Sequence, residues 1–216
     1  MKRFIITILV VLFTSSVASA MFVDDFEKYP VDKYPSGWRT WPFQGGKAGK
    51  VYKIGSENNN KFLAADDASG ISVQILKDFY WKLEYYPVLS WRWRARMLPK
   101  GGNETKPATN DSACGVYVVL SKARQQMIKY TWSTTAPVGT VYEKKPGQAY
   151  IVVKESGNSS LNKWKTEQIN IMEEYKKYFK RDLDKNPVAI AILTDGNATA
   201  TAASCDYDDF EIKGVH

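Results

Sequence analysis

Apolar and polar residues alternate in short runs along most of the chain. In residues 89–97 the odd positions are apolar and include Trp91 and Trp93, whereas the even positions are Ser90 and three arginines. Because the side chains of a strand alternate between two faces, this pattern predicts a strand with one buried face. Comparable runs occur at residues 51–54, 71–76, 115–120, 127–132, 150–154, 188–194 and 207–212. Turns rich in Gly, Pro and Asn separate the runs, and many short strands of this kind predict an all-β, antiparallel β-sandwich.

One segment has helical spacing instead. In residues 171–180 the side chains of Met172, Tyr175, Tyr178 and Phe179 recur at helical intervals, with Lys and Glu facing away. This spacing predicts one short amphipathic helix, which we expect to lie over an edge or an end of a sheet.

A tetrapeptide occurs twice, near the two ends of the chain. Asp-Asp-Phe-Glu forms residues 24–27 and again residues 208–211. The repeat predicts two terminal strands that lie side by side and bury Phe26 and Phe210.

The first twenty residues have the pattern of a signal peptide. Lys2 and Arg3 precede an uncharged apolar run at residues 4–13, and the small residues Ala18-Ser19-Ala20 follow. The apolar run is too short to cross a hydrocarbon core of about 30 Å as a helix, and no later segment is typical of a membrane span. We therefore predict a signal peptide at residues 1–20 and one domain at residues 21–216, located in the periplasm or secreted.

The amino-acid composition argues against a nucleic-acid partner and against histidine-dependent catalytic or metal sites. Of 216 residues, 30 are Lys or Arg and 23 are Asp or Glu, so the formal net charge is +7, and it falls to +5 without Lys2 and Arg3. This mild excess argues against a nucleic-acid partner, which would need a concentrated basic stripe. The one histidine, His216, is the last residue. A Ser-His-Asp triad, a Cys-His pair or a multi-histidine metal site is therefore not expected.

The chain has two cysteines, Cys114 and Cys205. An even number of cysteines in an exported chain is compatible with a disulfide, and this one would close a loop of about 90 residues. The alternative is that each cysteine is a small buried apolar residue.

Several segments resemble known families. Residues 24–26, 35–38 and 207–212 look like the concanavalin A-like jelly-roll superfamily. The sequence Pro-Val-Leu-Ser-Trp-Arg-Trp-Arg at residues 87–94 is similar to a bacterial family known as domain of unknown function 3047. So are residues 116–120, 128–132 and 137–139, Trp164, and Thr194-Asp195. The resemblance spans residues 22–213 and implies a jelly-roll sandwich. Because the superfamily includes lectins, carbohydrate-binding modules, glycosidases and polysaccharide lyases, the fold alone does not choose a function.

The chain departs from this family's pattern in two places. The resemblance implies paired Asp before the strand at residues 115–120 and an Arg just ahead of it, whereas here the residues are Asn110-Asp111 and Gly115. A polar cluster shared by the family would therefore be incomplete in this chain.

A row of arginines is the sharpest candidate for a binding site. Arg92, Arg94 and Arg96 lie on one face of the predicted strand, about 6.6 Å apart in succession. Guanidinium groups bind carboxylate and sulfate groups, so the row suits an acidic polysaccharide. In jelly rolls of the resembled superfamily the concave sheet holds the glycan. The alternative is that each arginine pairs with an Asp or Glu on the next strand.

Other side chains extend this hypothesis. Tyr130 and Trp132 share a face of what we expect to be a neighbouring strand, where their rings would stack on sugars. Tyr117 and Asp111 are further candidate ligand contacts. No cofactor is predicted: Asp195 and Asn197 are expected to lie in a solvated turn, and calcium binding by their oxygens is the alternative.

No motif establishes a reaction. The E-x-D-x-E pattern of the jelly-roll glucanases is absent. A lyase of this fold would need Tyr117 or Tyr130 beside Arg92 or Arg94, since no histidine is placed for the task. We therefore expect a non-catalytic binder of a glycan on the concave sheet face. The alternatives are an envelope protein–protein interaction or structural module, and a polysaccharide lyase or glycosidase.

Overall fold

β-Strands dominate the structure, a computed structural model that describes residues 20–42, 44 and 46–214. In this part of the chain the strands are β1 (Ala20–Asp24), β2 (Arg39–Thr40), β3 (Tyr52–Glu57), β4 (Asn60–Asp67), β5 (Ile75–Asp78), β6 (Val88–Met97), β7 (Cys114–Ser121), β8 (Gln126–Ser133), β9 (Val141–Lys145), β10 (Ala149–Ser156), β11 (Lys165–Asn170), β12 (Ala189–Ile192) and β13 (Ala203–Lys213). The helices are α1 (Ala48–Val51) and α2 (Ile171–Phe179), with a 3₁₀ turn at Pro107–Thr109. The predicted signal peptide, apart from Ala20, and His216 lie outside the described residues.

The strands form two sheets that enclose the core. The six-stranded sheet has the order β11-β6-β13-β4-β3, with β1 also paired to β13. The seven-stranded sheet has the order β2-β5-β12-β7-β8-β10-β9. Neighbouring strands run antiparallel except β8 and β10, which are parallel. The predicted all-β sandwich is confirmed, and the parallel pair was not foreseen.

Aromatic side chains from the two sheets meet in the core. Trp91 and Trp93 of β6 are fully buried, as the alternation predicts. The Trp91 ring lies 5.4 Å from that of Tyr130, and the Trp93 ring lies 6.3 Å from that of Trp132. The prediction that Tyr130 and Trp132 supply rings beside the arginines is therefore wrong. They lie on β8, in the other sheet, and point inward because their face of β8 is the more apolar one.

A disulfide joins the two sheets. Cys114 of β7 and Cys205 of β13 are bonded, with their Cα atoms 5.5 Å apart and a sequence separation of 91. The predicted bridge is thus present, and both residues are fully buried. Disulfides persist in oxidising compartments, so the bridge is consistent with export.

The two ends of the described chain lie together. β1 pairs with β13, and Ala20 is opposite Lys213. Phe26 and Phe210 are fully buried, with ring centroids 6.2 Å apart in an edge-to-face contact. The prediction from the repeated tetrapeptide is confirmed.

The predicted helix is α2, which packs near β11, the edge strand of the six-stranded sheet, and contacts β10 of the other sheet. Asn170 is the N-cap of α2: its side chain accepts a hydrogen bond from the Glu173 amide at 3.1 Å and donates one to the Glu173 carboxylate at 2.9 Å. Tyr178 is buried and stacks on Tyr150 of β10 at 5.6 Å. No helix among the described residues is long and apolar enough to cross a membrane.

A carboxyl group is buried near this edge. Glu167 of β11 is 8% exposed. Burial raises the pKa of Glu167 from its usual value of 4.5 to about 7, with Lys154 opposing and Glu155 reinforcing the shift. The polar sequence of β11 gave no sign of a strand, and neither did β9 or the second half of the β3–β4 hairpin.

Candidate functional site

The arginine row lies on the outer face of the six-stranded sheet and is fully paired. Each guanidinium contacts two carboxylates at 2.7–2.9 Å. The pairs are Arg92 with Asp208 and Asp209, Arg94 with Asp206 and Glu57, and Arg96 with Asp206 and Asp66. Five carboxylates thus surround three arginines. This is the alternative that the sequence left open, and an acidic ligand would have to displace these carboxylates.

Asp111 is used inside the protein. Its fully buried carboxylate accepts hydrogen bonds from the amides of Ala198 and Thr199 at 3.1 and 2.6 Å, and from the Thr199 hydroxyl at 2.7 Å. The predicted direct contact with a ligand is therefore contradicted by burial. Asp111 instead fixes the turn that follows β12.

The candidate calcium residues lie in that turn. Asp195 is buried and accepts a hydrogen bond from the Asn197 amide at 3.4 Å, whereas Asn197 is exposed. Burial raises the pKa of Asp195, and Lys129 opposes this shift. No group of three or more His, Cys, Asp or Glu that could hold a metal ion occurs among residues 20–42, 44 and 46–214. The expected solvated turn without a cofactor, with calcium as its alternative, stays a prediction.

A buried lysine lies on the outer face of the seven-stranded sheet. Lys129 of β8 is opposite Tyr117 of β7, and its Nζ lies 5.5 Å from the centre of the Tyr117 ring. Lys129 is only 5% exposed and donates a hydrogen bond to the Ser112 hydroxyl at 2.7 Å. Burial lowers the pKa of Lys129, against the opposing effect of Glu104, Asp195 and Asp111. Of the sequence-predicted ligand residues, Tyr117 is the one that lies at this site.

Glycine at position 115 makes room for this lysine. A Cβ atom on Gly115 would lie 2.9 Å from Cε of Lys129, which is closer than side-chain atoms normally approach. The same Cβ atom would lie 2.9 Å from the carbonyl oxygen of Leu193, so the position has no room for a side chain.

The loop between β6 and β7 supplies a buried acid behind the lysine. Glu104 is 1% exposed, and its carboxylate accepts hydrogen bonds from the hydroxyls of Thr131, at 2.7 Å, and Ser133. Both hydroxyls lie on the same face of β8 as Lys129. Glu104 lies in a polar loop, where no pattern of residues distinguishes it from its neighbours.

A cavity of about 200 Å³ opens beside Lys129. We call it the lysine cavity, and its defining residues are Tyr117, Met127, Lys129, Lys144, Lys145 and Ile151. No carboxylate lines it, and none of its three lysines has an ion-pair partner within 4.0 Å in the described part of the chain. Burial and the nearby charge of Lys129 lower the pKa of Lys144. The cavity thus carries unpaired positive charge beside an aromatic ring.

The fold and this site define a two-sheet β-sandwich with a basic cavity on one outer face. A family model described as "Protein of unknown function (DUF3047)" matches residues 36–211, and the chain belongs to this family. Comparison of the sequence with curated proteins finds no match.

Several solved structures are similar in fold. The family 11 carbohydrate-binding module of the cellulosomal cellulase Lic26A-Cel5E of Clostridium thermocellum is 12% identical, with 93% of this chain and 97% of that chain covered and a TM-score of 0.47. The Trichoderma harzianum endoglucanase 3 of family GH12 is 8% identical, with 94% and 100% covered and a TM-score of 0.44. At TM-scores below 0.5 these similarities carry no information about a ligand or a reaction.

Proposed function

We propose that the protein is an exported binder of an anionic glycan, which it holds in the lysine cavity. The observation that carries the proposal is the contrast between the two sheet faces. All three arginines of the six-stranded sheet are ion-paired, whereas the three lysines of the lysine cavity have no ion-pair partner among residues 20–42, 44 and 46–214. An anionic ligand gains most where positive charge has no internal partner.

The lysine cavity has the groups that an acidic sugar requires. An ammonium group binds a sugar carboxylate or sulfate as a point charge. The negative face of the Tyr117 ring packs against the C–H groups of a sugar, which carry partial positive charge. The volume is below the range of about 300–1,000 Å³ that is typical of pockets for larger ligands. The cavity therefore suits one acidic sugar unit of a longer chain.

The protonation state of Tyr117 favours binding over a tyrosine-based lyase reaction. Burial raises the pKa of Tyr117, and the nearby Asp195 and Glu104 raise it further. Tyr117 thus keeps its proton at neutral pH and is a poor general base. Tyr130, the other tyrosine considered for this reaction, is enclosed in the core.

The experiment compares acidic and neutral sugars on the mature chain, residues 21–216. Oligogalacturonates and alginate oligosaccharides are titrated by calorimetry beside neutral oligosaccharides of the same length. We expect the acidic series to bind the wild type and to bind Lys144→Ala/Lys145→Ala at least ~10-fold more weakly. We also expect the affinity for the acidic series to fall as salt is added. The matched control is Lys33→Ala/Lys50→Ala, two exposed lysines outside the cavity, which should bind as the wild type does. Equal affinity of the wild type and the cavity variant, or no affinity for any acidic glycan, would overturn the proposal.

A further inference from the structure

A second recess lies on the opposite side of the molecule. It measures about 330 Å³ and lies on the outer face of the six-stranded sheet, between the β3–β4 hairpin and the segment that enters β11. We call it the Trp164 groove, and its defining residues are Glu57, Asn58, Asn60, Phe62, Arg92, Arg94 and Trp164. None of these residues belongs to the lysine cavity.

The groove contains a firmly held aromatic ring. Trp164 is half-buried, and the guanidinium carbons of Arg92 and Arg94 lie 5.1 and 4.8 Å from its ring centre. The Phe62 ring meets it edge-on at 5.6 Å. The carboxylates of the neighbouring strands hold both arginines in turn. Because the ring is already ordered, a ligand that packs on it loses little conformational entropy on the protein side.

Unused hydrogen-bonding groups surround this ring. The side-chain amide of Asn58 has no hydrogen bond to any described residue. Asn60 donates from Nδ2 to Asp208 at 2.9 Å, which leaves its Oδ1 as an acceptor. Arg92 uses Nη2 and Nε for its two carboxylates, which leaves Nη1 as a donor. The recess thus holds both donors and acceptors together with an aromatic ring.

The charge of the groove differs from that of the lysine cavity. Arg92 and Arg94 contact four carboxylates, so the surroundings of the groove have an excess of negative charge. An anionic ligand is disfavoured there by repulsion. A purely apolar ligand is disfavoured as well, because it would leave the amide and guanidinium groups without partners.

We propose that the Trp164 groove is a second binding site and that it takes an uncharged saccharide. One sugar ring lies against Trp164, and its hydroxyl groups bond to Asn58, Asn60 and Arg92 Nη1. The ligand differs in charge from the one proposed for the lysine cavity, and the site lies on the other sheet. The two proposals therefore stand or fall independently.

The test titrates the mature chain with uncharged β-1,4-linked hexasaccharides of glucose, mannose and xylose by calorimetry, at up to about 5 mM ligand. We expect at least one of them to bind, and Trp164→Ala to weaken that binding by at least ~10-fold. Asn58→Ala, which removes an exposed amide, should weaken it several-fold. Tyr80→Ala is the matched control, because Tyr80 is a 62% exposed aromatic residue outside the groove, and it should bind as the wild type does. If Trp164→Ala fails to fold, Trp164→Phe and Asn58→Ala together serve the same purpose.

Several outcomes overturn the proposal. The proposal is wrong if none of the three hexasaccharides binds, or if the groove variants bind them as tightly as the wild type does. It is also wrong if the groove binds a lysine-rich peptide and no sugar. The Lys144→Ala/Lys145→Ala variant separates this result from the function proposed above, because it should lose the acidic glycan and keep the neutral one. Trp164→Ala should lose the neutral glycan and keep the acidic one.

Discussion

The buried carboxyl of Glu167 should make the protein less stable as the pH rises. The pKa of Glu167 is raised from 4.5 to about 7, a difference worth about 3 kcal/mol between the two protonation states. Below pH 4.5 the group is protonated in both the folded and the unfolded state and contributes nothing. Between pH 4.5 and 7 the folded state retains a proton that the unfolded state has lost. The free energy of unfolding therefore falls with rising pH over this window, and the loss is nearly complete by about pH 8.

Glu167→Gln keeps the size of the side chain and removes its titration. Urea unfolding at intervals from pH 4.5 to 8 measures the free energy of unfolding of both proteins. The variant should match the wild type at the acidic end and exceed it by about 3 kcal/mol at the alkaline end. Glu84→Gln, at an exposed position, controls for the loss of one negative charge. If the Glu167→Gln and wild-type curves stay parallel over the whole pH range, Glu167 titrates normally and the reasoning from burial is wrong.

Two further changes test the structure. Replacing Cys114 and Cys205 by Ala should lower the free energy of unfolding by about 4–5 kcal/mol, because the bridge spans 91 positions. A thermal midpoint within ~3 °C of the wild type would contradict this. Asp111→Ala removes the acceptor of three hydrogen bonds and should cost about 3 kcal/mol. Faster hydrogen exchange at Ala198 and Thr199 is the expected local sign of this change, and unchanged protection there would argue against it.

Alternation in the sequence was sufficient to predict the strands with one apolar face. β6 is the best example, since Trp91 and Trp93 point into the core as expected. The pattern was weaker for β11, where the inward positions are Glu167 and Ile169 and a carboxyl group takes the place of an apolar side chain. No local pattern could show that β8 and β10 run parallel, because strand direction depends on the route of the intervening chain.

The candidate site was harder to predict than the fold. From the sequence we expect Tyr130 and Trp132 on a ligand-binding face, but the more apolar face of a strand is the one that is buried. Once that face is assigned to the core, alternation places Lys129 on the outer face, where the structure has it. Lys129 is almost fully buried under the loop that carries Glu104 and Ser112. Such contacts between segments that are distant in sequence leave no periodic pattern of apolar and polar residues in the loop or in β8.

The position of β13 has a consequence for the order of assembly. β13 is the last strand in the sequence, yet it lies between β6 and β4 and also pairs with β1. Without it the six-stranded sheet separates into the pairs β11-β6 and β4-β3, each with an exposed edge. Cys205, the disulfide partner of Cys114, also lies on β13. The six-stranded sheet is therefore completed only when β13, which follows every other described strand in the sequence, has inserted between β6 and β4, whereas all pairings within the seven-stranded sheet can form without it.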